Sequence, residues 1–127
     1  MNLWKKQEHE AQTGSVKITK GYNLPCKYVL HTVGPIVKWK LKDGLKKDLE
    51  NCYNSCLELA ALNGIRSIAF CCISTGEFHF PSGEAAKIAV RTIQTFMKKN
   101  CEKLDRVIFN VFNDIDLGIY RSLLKAY

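Results

Sequence analysis

Residues 67–90 read SIAFCCISTGEFHFPSGEAAKIAV, and the fold is decided by how this stretch is read. Ser67 to Ile73 form a short, nearly continuous apolar run. A run of that length predicts a strand buried on both faces of a parallel-type sheet. From Ser82 onward, Ala85, Ile88, Ala89, Ile93, Phe96 and Met97 recur at helical spacing and predict a helix with one inward face. Ser82 is expected to cap that helix, and Glu84 falls in its first turn, where the helix dipole favours an acid. Between strand and helix lies ISTGEFHFP (73–81), with two hydroxyls and a glycine followed by two phenylalanines around a histidine.

Working outward, RVIFNVF (106–112) predicts the next strand. Residues 115–127 predict a last short helix with Ile119, Leu123 and Leu124 inward. Upstream, SVKITKGYN (15–23) predicts a half-buried strand through Val16, Ile18 and Tyr22. YVLHTV (28–33) is a second strand, ended by Gly34-Pro35. Residues 44–64 form a helix whose stripe is Leu45, Leu49, Cys52, Tyr53, Cys56 and Ala60, closed by Asn63-Gly64. The first dozen residues are polar and helix-compatible. Alternation of strand and helix in the second half argues for an α/β layered fold with a mainly parallel sheet. No linker or repeat divides residues 1–127, so one domain is expected.

The chain has 127 residues, 46% of them hydrophobic, which suffices for one domain with a real core. No apolar run approaches membrane-spanning length, and the opening MNLWKKQEHEAQTGS lacks a signal-peptide core; a cytoplasmic protein is expected. Six cysteines without a C-x-x-C pair, set in apolar patterns, read as reduced small hydrophobes. Cys52 and Cys56 lie one turn apart, but no local pattern completes a four-ligand zinc site, so no metal is assigned to this chain. The net charge of +7 suits an anionic partner. The densest basic cluster, VKWKLKDGLKK (37–47), reads as a solvated loop and helix start. No nucleic-acid motif accompanies it.

Ligands of parallel α/β sheets sit beyond the carboxyl ends of the strands. ISTGEFHFP and FNDI (112–115) both occupy that edge. Gly76 permits close approach of a ligand to the main chain. Successive backbone N–H groups there make an anion nest, the helix beyond adds positive dipole, and the hydroxyls of Ser74 and Thr75 add donors. Phosphate or diphosphate is the natural guest, with Phe78 as a flat wall for a ribose or base. The competing reading is a tight loop whose Phe78 and Phe80 cap the core.

The longer stretches GSVKITKGYNLPCKYVLHTVGP, SIAFCCISTGEFHFPSGEAAKIAV and VIFNVFND, in this order, resemble the macro domain, an ADP-ribose-binding module. The wording KGYNLPCKYVLHTVGP and CCISTGEF is most similar to the bacterial zinc-dependent branch, which hydrolyses ADP-ribose from modified proteins. The resemblance implies a three-layer α/β/α sandwich with a mixed sheet and ADP-ribose in a cleft at the strand ends. It implies that Ser74, Thr75, Gly76, Glu77 and Phe78 wrap the diphosphate and distal ribose, mostly through backbone amides. Phe112 and Asn113 match positions flanking the adenosine half. The family's domain begins upstream of Met1, so the chain resembles its C-terminal two-thirds, an N-terminally truncated sandwich without the catalytic loop. A sheet lacking central strands exposes edges and an apolar face, and a homo-oligomer, or pairing with the missing segment, is expected.

No catalytic residue emerges. His79 is expected to face solvent between two phenylalanines, and His31 to be a satisfied core histidine. Glu77 has no partner carboxylate nearby in sequence. Asp114 and Asp116 fit capping and dipole roles. Two functions follow from the resemblance: an ADP-ribosyl hydrolase acting on O-acetyl-ADP-ribose or ADP-ribosylated protein, or a non-catalytic binder of ADP-ribose or a related phosphate-bearing nucleotide. No cofactor is expected in this chain; zinc belongs to full-length relatives.

Overall fold

The computed structural model describes residues 16–21, 23, 26–38, 40–73, 75, 79–111 and 113–126. The expected polar opening and Tyr22 lie outside the described residues, as do Ser74, Gly76, Glu77, Phe78 and Phe112. The chain runs β1 (Val16–Lys20), β2 (Tyr28–Thr32), α1 (Asp43–Leu62), β3 (Ser67–Phe70), α2 (Ser82–Lys99), β4 (Arg106–Phe109) and α3 (Asp114–Ala126). Among the described residues no helix is long and apolar enough to cross a membrane.

The strands form two pairs. β1 and β2 are antiparallel, in register from Val16–Thr32 to Lys20–Tyr28. In the turn between them the Gly21 amide donates to the Lys27 carbonyl at 2.8 Å. A Cβ on Gly21 would run into the Cys26 carbonyl oxygen, so the turn closes this tightly only around a glycine. β3 and β4 are parallel, in register from Ser67–Arg106 to Phe70–Phe109. A bidentate pair closes their starting end, Arg66 Nε and Nη2 donating to the Asp105 carboxylate at 2.8 and 2.7 Å. The expected mixed α/β character is present: one parallel and one antiparallel pair.

α1 buries Leu49, Cys52, Tyr53, Cys56, Leu57 and Ala60, so the predicted stripe gains Leu57, while Leu45 is only partly buried. It stops as Asn63-Gly64 predicts. Gly64 takes φ +69°, its amide reaches the Ala61 carbonyl, and the Ile65 amide reaches that of Ala60, a Schellman cap. α2 packs against α1 and α3 and buries Ala85, Ala86, Ile88, Ala89 and Ile93 in the core. Glu84 is in its first turn, and Lys98 and Lys99 are in its last, all complementing the dipole. Ser82 does not cap it: Pro81 holds the N-cap position, no side chain bonds the first amides, and Ser82 is already helical. In α3, Ile119 and Leu123 join the core but Leu124 is exposed, because it lies at the margin of the apolar stripe.

The core sits between the helices and one face of the β3–β4 pair. Ile68, Phe70, Val107 and Phe109 point into it. Ser67, Ala69, Arg106 and Ile108 alternate with them and are exposed, so β3 is covered on one face and not on both. The continuous apolar run misled because Ser67, Ala69 and Cys71 are small and tolerate exposure. The cysteines also divide. Cys52 and Cys56 are buried as expected, whereas Cys26, Cys71 and Cys101 are exposed; none is bridged. His31 is exposed rather than core, its Nε2 2.9 Å from Thr19 Oγ1 on the paired strand. The basic stretch behaves as a solvated helix start, with Lys46 and Lys47 paired to Glu84 and Glu50 at 3.8 and 3.6 Å.

Leu57 is fully buried and Leu62, five residues on, is 83% exposed. In urea titrations Leu57→Ala is expected to lose about 2–5 kcal/mol. Leu62→Ala is expected to stay within about 0.5 kcal/mol of the parent.

Candidate functional site

Parallel pairing sends β3 and β4 out at the same edge, which brings residues 71–73 beside residues 110 and 111. The Asn110 amide donates to the Phe70 carbonyl at 2.8 Å, extending the pairing one step past the strands. Cys72 Sγ lies 4.0 Å from the Asn110 carbonyl oxygen, a weak contact across the two loops. α2 begins immediately after the first loop, so the positive end of an 18-residue helix faces the same edge.

Of the residues expected to hold a ligand, Thr75 and Asn113 are described, and both side chains have structural work. Thr75 Oγ1 donates to the Cys72 carbonyl at 3.1 Å. Its proton therefore locks the turn and is not an outward donor, as the sequence reading had it. Asn113 caps α3: its Oδ1 accepts from the Asp116 amide at 2.8 Å, and its Nδ2 donates to Asp116 Oδ2 at 3.1 Å. The Asn113 carbonyl accepts the first helical bond, from Leu117, at 3.1 Å. This reciprocal arrangement works like a capping box and holds Asp116 nearly buried. The expected capping role falls to Asn113, with Asp114 and Asp116 in the first turn. These two side chains are thus engaged within their own turns. Ser74, Gly76, Glu77, Phe78 and Phe112 lie outside the described residues.

His79 is exposed, as expected, with φ 60°, the left-handed region uncommon for a residue with a Cβ. Phe80 is buried in the core, so one of the two phenylalanines does cap it.

Beneath the loops lies a polar cluster that sequence reasoning missed. Tyr53 of α1 stacks at a tilt on Phe70, with ring centroids 5.1 Å apart. Tyr120 of α3 packs on Phe109 at 4.7 Å. The Tyr53 hydroxyl is wholly buried, near Tyr120 and the Ile73 backbone, and makes no hydrogen bond of good geometry among the described residues. Burial pushes the Tyr53, Tyr120 and Cys72 groups up; Tyr120 and Cys72 add to this at Tyr53, Cys72 and Asp116 at Tyr120, and Asp116 and Cys71 at Cys72. All three stay protonated at neutral pH and form an uncharged floor. The available signal was a tyrosine in each of two otherwise apolar helical stripes. Among the described residues no group of three or more His, Cys, Asp or Glu is placed to hold a metal. The residues described therefore do not fit a zinc site.

Residues 1–89 match the family model described as Macro domain. The chain belongs to the macro domain family. It is 52% identical over 123 residues to a Treponema medium protein named Protein-ADP-ribose hydrolase, covering 97% of this chain and 47% of that one. In structure it is similar to the Trypanosoma brucei macrodomain in complex with ADP-ribose, at TM-score 0.83 and 39% identity. That likeness covers 91% of this chain and 47% of the other. The Oceanobacillus iheyensis macrodomain with ADP gives TM-score 0.84 at 40% identity, over 96% of this chain and 63% of that one. The chain spans about half the length of the Treponema relative. The expected macro-domain α/β sandwich is therefore the fold. The described residues supply its sheet pairs and one helical layer.

Two measurements check this geometry. Asn113→Ala removes the α3 cap and is expected to cost about 0.5–2 kcal/mol in urea unfolding with an unchanged m-value. Burial, with Cys52 and Cys71 nearby, pushes the Cys56 thiol from 9.0 up to about 12. The unfolded chain loses that proton first, so stability is present below about pH 9 and falls as pH rises toward 12. Urea midpoints should therefore drop between pH 8 and 10. In native protein iodoacetamide should label Cys26, Cys71 and Cys101 while leaving Cys56 unmodified.

Proposed function

We propose that the chain forms the ADP-ribose-binding part of a protein-ADP-ribose hydrolase. The reading is carried by 52% identity over 123 residues to a protein of that name. It is supported by the likeness to a macrodomain solved with ADP-ribose. The edge where β3 and β4 both end is where a parallel α/β sheet takes its ligand. In this reading Ser74, Thr75, Gly76, Glu77 and Phe78 wrap the diphosphate and distal ribose, chiefly through backbone amides. That fits Thr75, whose hydroxyl proton is already used within the turn. Phe112 and Asn113 flank the adenosine half, Asn113 through its backbone, since its side chain caps α3.

The physical case rests on charge. A diphosphate carries two negative charges at neutral pH, and the positive end of α2 faces this edge. A protein of net charge +7 adds long-range attraction. The uncharged floor of Tyr53, Tyr120 and Cys72 adds no repulsion. The hydrolytic step is assigned to none of the described residues.

Calorimetry with ADP-ribose tests binding, and release of ADP-ribose from a mono-ADP-ribosylated protein, with and without added zinc, tests hydrolysis. Saturable binding is expected, weakened at least about tenfold, or about 1.4 kcal/mol, by Gly76→Glu, which puts a side chain and a negative charge into the diphosphate loop. Binding without release would leave a non-catalytic binder of ADP-ribose. No heat at millimolar ADP-ribose would overturn both.

A further inference from the structure

The net charge of +7 is unevenly placed. At the start of α1, Lys46 and Lys47 are held by Glu84 and Glu50, and Arg66 is held by Asp105. The helices α2 and α3 differ. From Ala85 to Asn100 and from Leu117 to Lys125 the sequence has no Asp or Glu. Lys87, Arg91 and Lys98 on α2 and Arg121 and Lys125 on α3 are all exposed. None of the five has an ion pair or a side-chain hydrogen bond among the described residues.

Helical spacing sets these cations in two rows. Lys87, Arg91 and Lys98 fall at i, i+4 and i+11, on the face of α2 opposite the buried Ala85, Ala89 and Ile93. The row spans about 16 Å along the axis. Arg121 and Lys125 fall at i and i+4 on α3, opposite the buried Asp116 and Tyr120. Both helices follow strands of one parallel pair, so they run the same way. They pack side by side, which sets their axes about 8–10 Å apart. Their inner faces join the core over β3 and β4, so their outer faces point together away from the sheet. Thr95 and Ser122, also exposed, add uncharged donors between the cations. No aromatic side chain is exposed on either helix among the described residues.

That composition selects the partner. A protein interface takes its affinity from apolar and aromatic anchors at its centre, and this face has none there. Single-stranded bases need aromatic platforms, which are absent too. An extended acidic peptide carries one line of charge and would leave one row of cations unused. Two parallel rows of unpaired cations match two lines of phosphates, such as those that flank the grooves of a duplex, about 6–12 Å apart in B-form DNA. We propose that the outer face of α2 and α3 binds the phosphate backbones of a nucleic-acid duplex, without reading its bases, through Lys87, Arg91, Lys98, Arg121 and Lys125. Binding of this kind is electrostatic and requires no sequence motif. The face is distinct from the edge where β3 and β4 end, so the proposal does not depend on the ADP-ribose reading.

The test is fluorescence anisotropy with a short labelled duplex, made as DNA and as RNA, titrated with the 127-residue chain. At least one form is expected to bind with a Kd of about 1–100 μM near physiological salt. The slope of log K against log salt is expected to be about −4 to −5, for five phosphates neutralised. Reversing three charges of the face, with Lys87→Glu, Arg91→Glu and Arg121→Glu together, is expected to weaken binding at least about tenfold and to flatten the slope by about 2–3. Lys38→Glu, Lys40→Glu and Lys42→Glu together change the net charge equally outside the face and are expected to cost less than about threefold. All six residues are exposed, and unchanged urea midpoints check that folding survives. Should the triple variant unfold, Arg91→Gln alone is expected to flatten the slope by about 1. No binding of either duplex at about 100 μM protein and about 50 mM salt would overturn the proposal. So would equal losses in the two triple variants, an unchanged slope in Arg91→Gln, or displacement of the duplex by ADP-ribose. Poly-glutamate of equal charge binding as tightly as the duplex would make an acidic polypeptide the partner and overturn it equally.

Discussion

The in-register parallel pairing of β3 with β4 is the constraint on which the rest depends. Parallel strands that start together at the Arg66–Asp105 pair must also end together. Their following loops are thereby brought to one edge, and the helices that return from those loops must pack on one another. α2 and α3 do so, on the same face as α1. An antiparallel pair would have sent residues 71–81 and residues 110–114 to opposite ends, and no shared site could form.

The same pairing explains how the core is shared out. One face of the pair, through Ile68, Phe70, Val107 and Phe109, is covered by helices. The tyrosines that touch this face, Tyr53 on Phe70 and Tyr120 on Phe109, bring their hydroxyls near Cys72 and the Ile73 backbone. The floor of the site and the centre of the core are therefore the same set of side chains. Substitutions meant to alter binding from below would alter stability too, whereas the loop backbone above is set by Thr75 and by the Asn113 cap. The opposite face leaves Ala69 and Ile108 exposed.

Much of this was legible from residue patterns. Helical spacing of Leu49, Cys52, Tyr53, Cys56 and Ala60 located α1 and its buried face, and Asn63-Gly64 located its end. The strand–helix–strand alternation indicated which edge would carry a site. What failed did so for local reasons. A hydrophobicity reading treats Ala69 and Cys71 as core, yet small residues lie exposed at little cost, and exposure depends on whether a layer covers them. Ser82 looked like a cap because serine is a good one, but Pro81 with its fixed φ took that position. His31 looked internal because its neighbours are apolar; strand alternation turns it outward to Thr19. The roles of Thr75 and Asn113 were not legible, since a hydroxyl or amide that bonds its own turn reads in sequence like one offered to a ligand.

The central claim is that ADP-ribose binds at the edge where β3 and β4 end, held by the backbone of the two loops. Mapping backbone amide chemical shifts during titration with ADP-ribose tests it most directly. The account predicts that the largest saturable changes fall in residues 73–79 and 110–114 and at the first turn of α2, with the outer strand β1 unaffected. Saturable changes centred elsewhere, with these loops unmoved, would contradict it.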